Sequence, residues 1–341
     1  MAPEAHSHAS AATACPFAHS GKPSPHGWCP AQATDSRSPC PAINSMANHG
    51  YISRDGRSIS TWQLIRALKR VYALTWPFAT FLVVVGLIII GHYNLFRGVD
   101  LIELARHGRV EHNASLVHDD ALTEAADADG EKKIIMAPTN VNQDLVEQMF
   151  SDPLLYANCT PSFDNDHDVT PSSEPSSAGS DTTLDGASSS GSLTASVADE
   201  DMFARKQAEF ETDLCIPTMD FADLARHRVR RQAECGPTGK IHQEIARGEM
   251  AIILNAWGVD RLGKLPLPTP STRPKLGAPV SWLREWLGSE RLPEEWFDSL
   301  ESGAERRVTG LMDTVKMSKS IKLRAEQIVA DAAAAANKES K

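Results

Sequence analysis

Cys40 stands between Pro39 and Pro41 in the stretch SRSPCPAINSMANHGYISRDG, residues 36–56. Pro41 suits the first position of a helix, where a missing N–H costs nothing and φ is already set. Cys40 is then the N-cap, with its sulfur facing the free N–H groups and the positive end of the helix. Such a place lowers a thiol pKa and favours a thiolate, which serves as a nucleophile, a redox centre or an axial metal ligand. Taken alone, the tripeptide is equally served by a structural cysteine in a turn. A second candidate is VEHNAS, residues 110–115. In a helix Glu111 and Ser115 lie one turn apart on one face, and two oxygens there suit a hard cation such as Mg²⁺ or Mn²⁺. His112 points elsewhere, with Asn113 beside it, and such residues in a polar helix are commonly just solvated. Glu249, in IHQEIARGEMAIILNAWG (residues 241–258), is by itself one more helical carboxylate. Cys15, His19, His26 and Cys29 have a loosely metal-like spacing that fits no standard zinc pattern.

The elements that must position these residues are mostly helices. Residues 1–35 are rich in Ala, Ser, Pro and His without periodicity and read as a flexible tail. Order is expected from Ser36. Arg54-Asp55-Gly56 signals a turn, and Ser60 to Gln63 reads as a capping box opening a helix that Pro77 ends or kinks. Residues 76–91, WPFATFLVVVGLIIIG, are apolar throughout. They resemble a membrane span or, alternatively, a helix buried on all sides of a core. DLIELARH, residues 100–107, makes one or two amphipathic turns, and residues 109–125 read as a further helix. Other helices are expected over 141–150, 201–212, 220–234, 239–257, 278–288, 305–316 and 320–336. Residues 159–200 are rich in Ser, Thr, Asp, Gly and Pro, and read as a disordered insertion. The loop 261–276 is proline-rich and irregular. There is no convincing strand pair, P-loop, GxGxxG or internal repeat.

Composition narrows the classes. The 341 residues are 41% hydrophobic, enough for a real core, and the formal charge of −10 argues against nucleic acid or an anionic membrane surface as partner. The densest basic run, RHRVRR at 226–231, reads as the solvated face of a helix. The N-terminus lacks a basic start and an apolar h-region, so the six cysteines are expected as reduced thiols and the protein as intracellular.

Together the weak signals form a specific pattern. S-P-C-P-A-I-N-S-M-A-N-H-G-Y, then R-D-G, then E-H-N-A-S-L resembles the fungal haem-thiolate peroxidases, the chloroperoxidase and unspecific peroxygenase family. Residues 241–258 resemble the helix of that family bearing a distal glutamate, and WLREWLGSERLPEEW (282–296) resembles its E-R-L-P segment. The resemblance spans Ser36 to Trp296. It implies a mainly α, single-domain chloroperoxidase-like fold over 36–320, interrupted by the insertion, with 321–341 as a C-terminal helix or tail. It implies haem b held by Cys40, whose thiolate pushes electron density onto iron and favours O–O cleavage. Glu249 would move the peroxide proton, with His112 near it and orienting it. Glu111, Ser115 and the His112 carbonyl would hold Mg²⁺ or Mn²⁺ against a haem propionate. The implied partners are hydrogen peroxide and a small organic substrate, aromatic or apolar, oxygenated, oxidised or halogenated by related chemistry.

Three departures qualify the resemblance. Asn113 stands where the family has aspartate, which removes a charge that would polarise His112 and motivates a reading with impaired catalysis. His242, seven residues before Glu249, stands where long peroxygenases carry arginine. The wording of the motifs, without a signal peptide, looks closer to intracellular relatives associated with fungal secondary metabolism. The apolar segment is constrained by topology, because a single crossing at 76–91 would put Cys40 and Glu111 on opposite sides of a membrane. A buried core helix is therefore favoured over a membrane-anchored, non-enzymatic protein. A hairpin dipping into one leaflet would satisfy both.

Overall fold

The computed structural model describes residues 26–121, 134–156, 217–236, 238–258, 277–296 and 308–339. Two units are distinguished, Met1–Tyr156 with Ile216–Lys341, and Ala157–Cys215. The expected insertion, the helix 201–212 and the loop 261–276 lie outside the described residues.

The described part is mostly helical. Helix α1 spans Pro41–Asn48, with Pro41 in its first turn and Cys40 as N-cap. Helix α2 is Thr61–Tyr72, and its capping box forms as expected: Gln63 N donates to Ser60 Oγ at 3.2 Å and Ser60 N to Gln63 Oε1 at 2.9 Å. It ends at Ala73 in the left-handed region, φ 52°. Pro77 accordingly sits in the first turn of the next helix, α3 (Trp76–Ile89), and neither ends nor kinks α2. Helix α4 is Gln143–Phe150, α5 Phe221–Cys235, α6 Lys240–Trp257 and α7 Val280–Ser289. Helix α8, Leu311–Glu339, is one continuous element where two were expected, and it packs on α5 and α6 with Ile321 fully buried. Among the described residues the sheet content is one antiparallel pair, β1 (Thr218–Met219) with β2 (Ala278–Pro279), which ties the start of α5 to the start of α7.

Helix α3 is neither a span nor buried on all sides. Its 14 residues reach only about 21 Å, short of the roughly 30 Å of a bilayer core. No helix among the described residues is long and apolar enough to cross a membrane. Phe78, Ala79, Val83 and Leu87 face the core, while Phe81 and Ile88 are nearly half exposed. The N-terminal tail also begins to pack earlier than expected. From His26 onward the chain is described, Cys29 is buried, and Cys29 N donates to the Asn48 carbonyl at 2.9 Å. Cys29 is disulfide-bonded, so the expectation of six reduced thiols fails there, while Cys40 and Cys235 are free.

The largest local correction concerns residues 109–125. Where described, to Ala121, they form turns and bends, with a short 3₁₀ turn at Leu101–Ala105 before them. Ala114 sits at φ 66°, a conformation that interrupts any helix. Side chains take the backbone donors that a helix would use: Ala114 N donates to Asp120 Oδ1 at 2.6 Å, Ala121 N to Asn113 Oδ1 at 3.1 Å and His118 N to Ser115 Oγ at 3.2 Å.

Candidate functional site

A cavity of about 310 Å³ lies among α1, α2, α3, α6, α7 and the 110–118 loop. Its wall is mainly apolar, with Leu64, Leu68, Leu87, Ile252 and Ile253 among the lining residues. Few polar side chains interrupt it. Cys40, Glu111, His112, Ser115 and Glu249 all line this one cavity. The structure therefore gathers the candidates that the resemblance names, from positions up to 209 residues apart (249 − 40), whereas His26 and Cys29 lie outside this cavity and Cys15 and His19 outside the described residues.

The Cys40 region is fixed by a dense network. Gly56 closes the R-D-G turn at φ 68°, where any side chain would collide with the Ser36 carbonyl. Ser36 N donates to the Asp55 carbonyl at 2.7 Å, which pins the segment leading to Cys40. On α1, Asn44 Nδ2 donates to the Ser38 carbonyl at 2.7 Å and to Glu290 Oε1 at 2.6 Å. Asn48 Oδ1 accepts from Arg37 Nη2 at 2.9 Å. His49 donates from Nδ1 to the His26 carbonyl at 2.8 Å and accepts at Nε2 from Leu292 N at 3.0 Å. These bonds explain why N-S-M-A-N-H follows the cysteine: the polar residues clamp α1 to the E-R-L-P segment. They also shift two groups. Burial lowers His49 to about 4, and burial raises Glu290 to about 7 against the bonds from Asn44 and Asn48.

Cys40 itself departs from the sequence expectation. Burial pushes its thiol up to about 11, and Glu249 and Glu290 add to this, although the N–H groups of Ile43 and Ala42 pull the other way. The helix end alone does not make a thiolate. A positive partner in the cavity is needed to offset desolvation, as when sulfur coordinates a metal.

Glu249 comes from α6 and its side chain is 55% exposed. His112 Nε2 lies 3.6 Å from Glu249 Oε2, and its ring is almost fully buried. The His112 Nδ1–H donates to the Asn113 carbonyl at 2.8 Å, which fixes that nitrogen as the donor. Burial lowers the basicity of His112, but Glu249 and this carbonyl outweigh it and hold the ring above its usual value. The Asn113 side chain turns away to Ala121 N, so the ring is oriented by a backbone carbonyl. His242 packs near His112 with ring centroids 5.9 Å apart.

The oxygens expected to hold a cation are less free. Glu111 Oε2 is 2.7 Å from His107 Nδ1, and burial raises its pKa despite this partner. Ser115 Oγ accepts from His118 N. No group of three or more His, Cys, Asp or Glu that could hold a metal occurs among the described residues.

Sequence reasoning missed Arg228 and Arg231. The basic run on α5 is not a solvated face: His227, Arg228 and Arg231 are buried, and Arg228 lines the cavity. Arg228 Nη1 donates to the Ala114 carbonyl at 2.8 Å and Arg231 Nε to the Ser115 carbonyl at 2.7 Å, holding the irregular loop in place. The signal was there in helical period, because Leu224, Arg228, Arg231 and Cys235 follow one face. Tyr72, Trp257 and Trp286 were missed too; they line the cavity, and Tyr72 O–H and Ser45 Oγ are 2.7 Å apart beneath α1.

The sequence profile described as "Peroxidase, family 2" matches residues 26–301. A dothistromin biosynthesis peroxidase of Dothistroma septosporum is 48% identical over 61 residues, 18% of this chain and 14% of that protein. An aromatic peroxidase of Fusarium equiseti is 40% identical over 58 residues, 17% of this chain and 13% of its own length. A chloroperoxidase of Leptoxyphium fumago is 74% identical over 27 residues, 8% of this chain and 7% of that protein. The matched stretches thus span a small fraction of each relative.

Proposed function

The chain belongs to family 2 of the peroxidases, and on that premise we propose that it is a haem-thiolate peroxidase acting on hydrogen peroxide and a small organic substrate. The observation that carries the reading is the meeting of Cys40 with the Glu249–His112 pair in one apolar cavity. The residues suit a haem, taken here as haem b. A half-buried thiol at a helix N-terminus would supply one soft ligand, and the apolar wall suits a flat hydrophobic ring. When bound, the group supplies the redox chemistry that peroxide cleavage requires.

The chain's own residues handle protons and position. Glu249 is the acid–base group, taking a proton from the peroxide oxygen that enters and returning it to the oxygen that leaves. His112, locked as donor to the Asn113 carbonyl, presents Nε2 to Glu249. At 3.6 Å the ring stands close enough to orient the carboxylate for proton transfer. The apolar lining excludes water and favours an aromatic or apolar substrate. A place in secondary metabolism is proposed on the same footing, because the Dothistroma relative is a biosynthesis peroxidase. For a divalent cation the support is weak, since Glu111 already pairs with His107.

The test is peroxide consumption by the haem-loaded protein with an aromatic cosubstrate. Wild type should turn over and Cys40→Ala should not. Haem uptake without peroxide turnover in wild type would contradict the reading.

A further inference from the structure

Arg228 and Arg231 lie one turn apart on α5 and are almost equally buried, at 4% and 5% exposure. Their satisfaction differs. Arg231 donates from Nε to the Ser115 carbonyl, from Nη1 to Glu234 and from Nη2 to Asp120. Arg228 makes one bond, from Nη1 to the Ala114 carbonyl, while its Nε and Nη2 are enclosed and donate to nothing among the described residues. A buried guanidinium with unmet N–H groups is strongly disfavoured unless an anion completes it. Glu249 acts on it electrostatically, and no ion pair between the two is formed. His118 repeats the pattern. It is 1% exposed, it lines the same cavity, and neither ring nitrogen has a hydrogen bond of normal geometry, although the Thr139 backbone lies near it.

We propose that Arg228, which lines the cavity together with His118, forms a binding subsite for a carboxylate. This rests on the peroxidase reading for the identity of the cavity and adds a ligand chemistry to it. The planar fork of a guanidinium matches a carboxylate in two parallel bonds. Arg228 is the one arginine or lysine among the described residues lining the cavity, and Glu111 and Glu249 line it too. A single permanent cation near two acids suits one negative charge on an otherwise apolar body, and disfavours a doubly charged phosphate. Two sources share this chemistry: a propionate at the edge of a bound porphyrin, and the carboxyl group of an organic substrate.

The experiment compares wild type, Arg228→Met and Arg231→Met as full-length chains, with far-UV circular dichroism as a folding check. In the first arm, iron protoporphyrin IX and its dimethyl ester are titrated into the haem-free protein and followed by absorbance. In the second, 2-naphthoate and 2-naphthamide are titrated into the porphyrin-loaded protein and followed by the shift of the Soret band. The subsite predicts that wild type prefers the acid form by on the order of tenfold, and that Arg228→Met removes the preference. Its loss in the first arm assigns the carboxylate to the porphyrin; loss in the second assigns it to the substrate. Arg231→Met disturbs the same loop and should keep the preference. An absent wild-type preference in both arms overturns the proposal. So does a preference that survives Arg228→Met, or one that Arg231→Met also erases. If wild type takes up no porphyrin, the peroxidase reading fails, and calorimetry with naphthoate and naphthamide on the haem-free chain still decides the subsite.

Discussion

The two functional regions of the cavity are built in contrasting ways. Around Cys40, nearly every polar group is used: Asn44, Asn48, His49 and Arg37 tie α1 to Glu290, Leu292 and the chain before it. Around Glu249 the arrangement is open. The carboxylate is 55% exposed, its partner His112 stands 3.6 Å away, and the loop that carries His112 is irregular with Ala114 at φ 66°. The contrast matches two tasks. On the proposed reading, an axial ligand at Cys40 must keep one position, whereas a proton-transfer group at Glu249 needs room for peroxide to enter between itself and its neighbours. At Cys40 burial outweighs the pull of the helix N-terminus and holds the thiol up to about 11.

The sharpest way to break this comparison is to change the open region alone. Glu249→Gln should lower peroxide turnover by about 10²–10⁴-fold while the absorption spectrum of the haem-loaded protein stays as in wild type. A spectral change equal to that of a Cys40 variant would mean that the two regions are not separable.

The next prediction concerns acid. Burial lowers His49, His118 and His227 to about 4 each. Each is neutral in the folded state and charges more readily when unfolded. Its contribution is therefore fully present above the ordinary histidine pKa and lost as pH falls from 6.5 through about 4, up to roughly 3 kcal/mol apiece. Glu290 has the opposite sign. Raised to about 7, it contributes fully below the ordinary carboxylate range and loses that contribution as pH rises through about 7. Thermal melts from pH 7 to pH 4 should fall overall, and less steeply in His49→Gln. A flat profile would contradict the burial of these rings.

A smaller effect is expected within the clamp. Asn44→Ala removes the donor to Glu290 and the acceptor of Ser38 N. It should destabilise by about 1–3 kcal/mol in urea unfolding, whereas His112→Ala, in the open region, should change stability less than it changes turnover. The smallest effect is expected at Asn113. Its side chain serves Ala121 N, and its carbonyl orients His112. Asn113→Asp should alter turnover by only a few-fold. A large rescue would favour the impaired-catalysis reading of the natural asparagine.

The sequence made the Cys40 region legible because its signals are local. Pro41 at a helix start, the Ser60–Gln63 box and the R-D-G turn are each decided by neighbours in the chain, and each forms as expected. The open region was legible only through resemblance. The segment around His112 has a helical spacing, but Asn113, Ser115 and Asp120 spend their side chains on backbone donors, and a periodicity argument does not weigh that competition. The basic run on α5 misled for a different reason. Charge suggested solvent, yet the irregular loop offers carbonyls that only buried donors can reach, and Arg228 and Arg231 supply them. For 76–91, composition alone suggested a span or a fully buried helix. The outcome, a short helix with one buried face, depends on how much of it α2 and the cavity cover.

The most direct test of the account is the ferrous–CO absorption spectrum of the haem-loaded protein beside that of Cys40→Ser. Thiolate ligation by Cys40 predicts a strongly red-shifted Soret band in wild type that vanishes in the variant. A band unaffected by the substitution, or a wild-type chain that binds no haem, would contradict it.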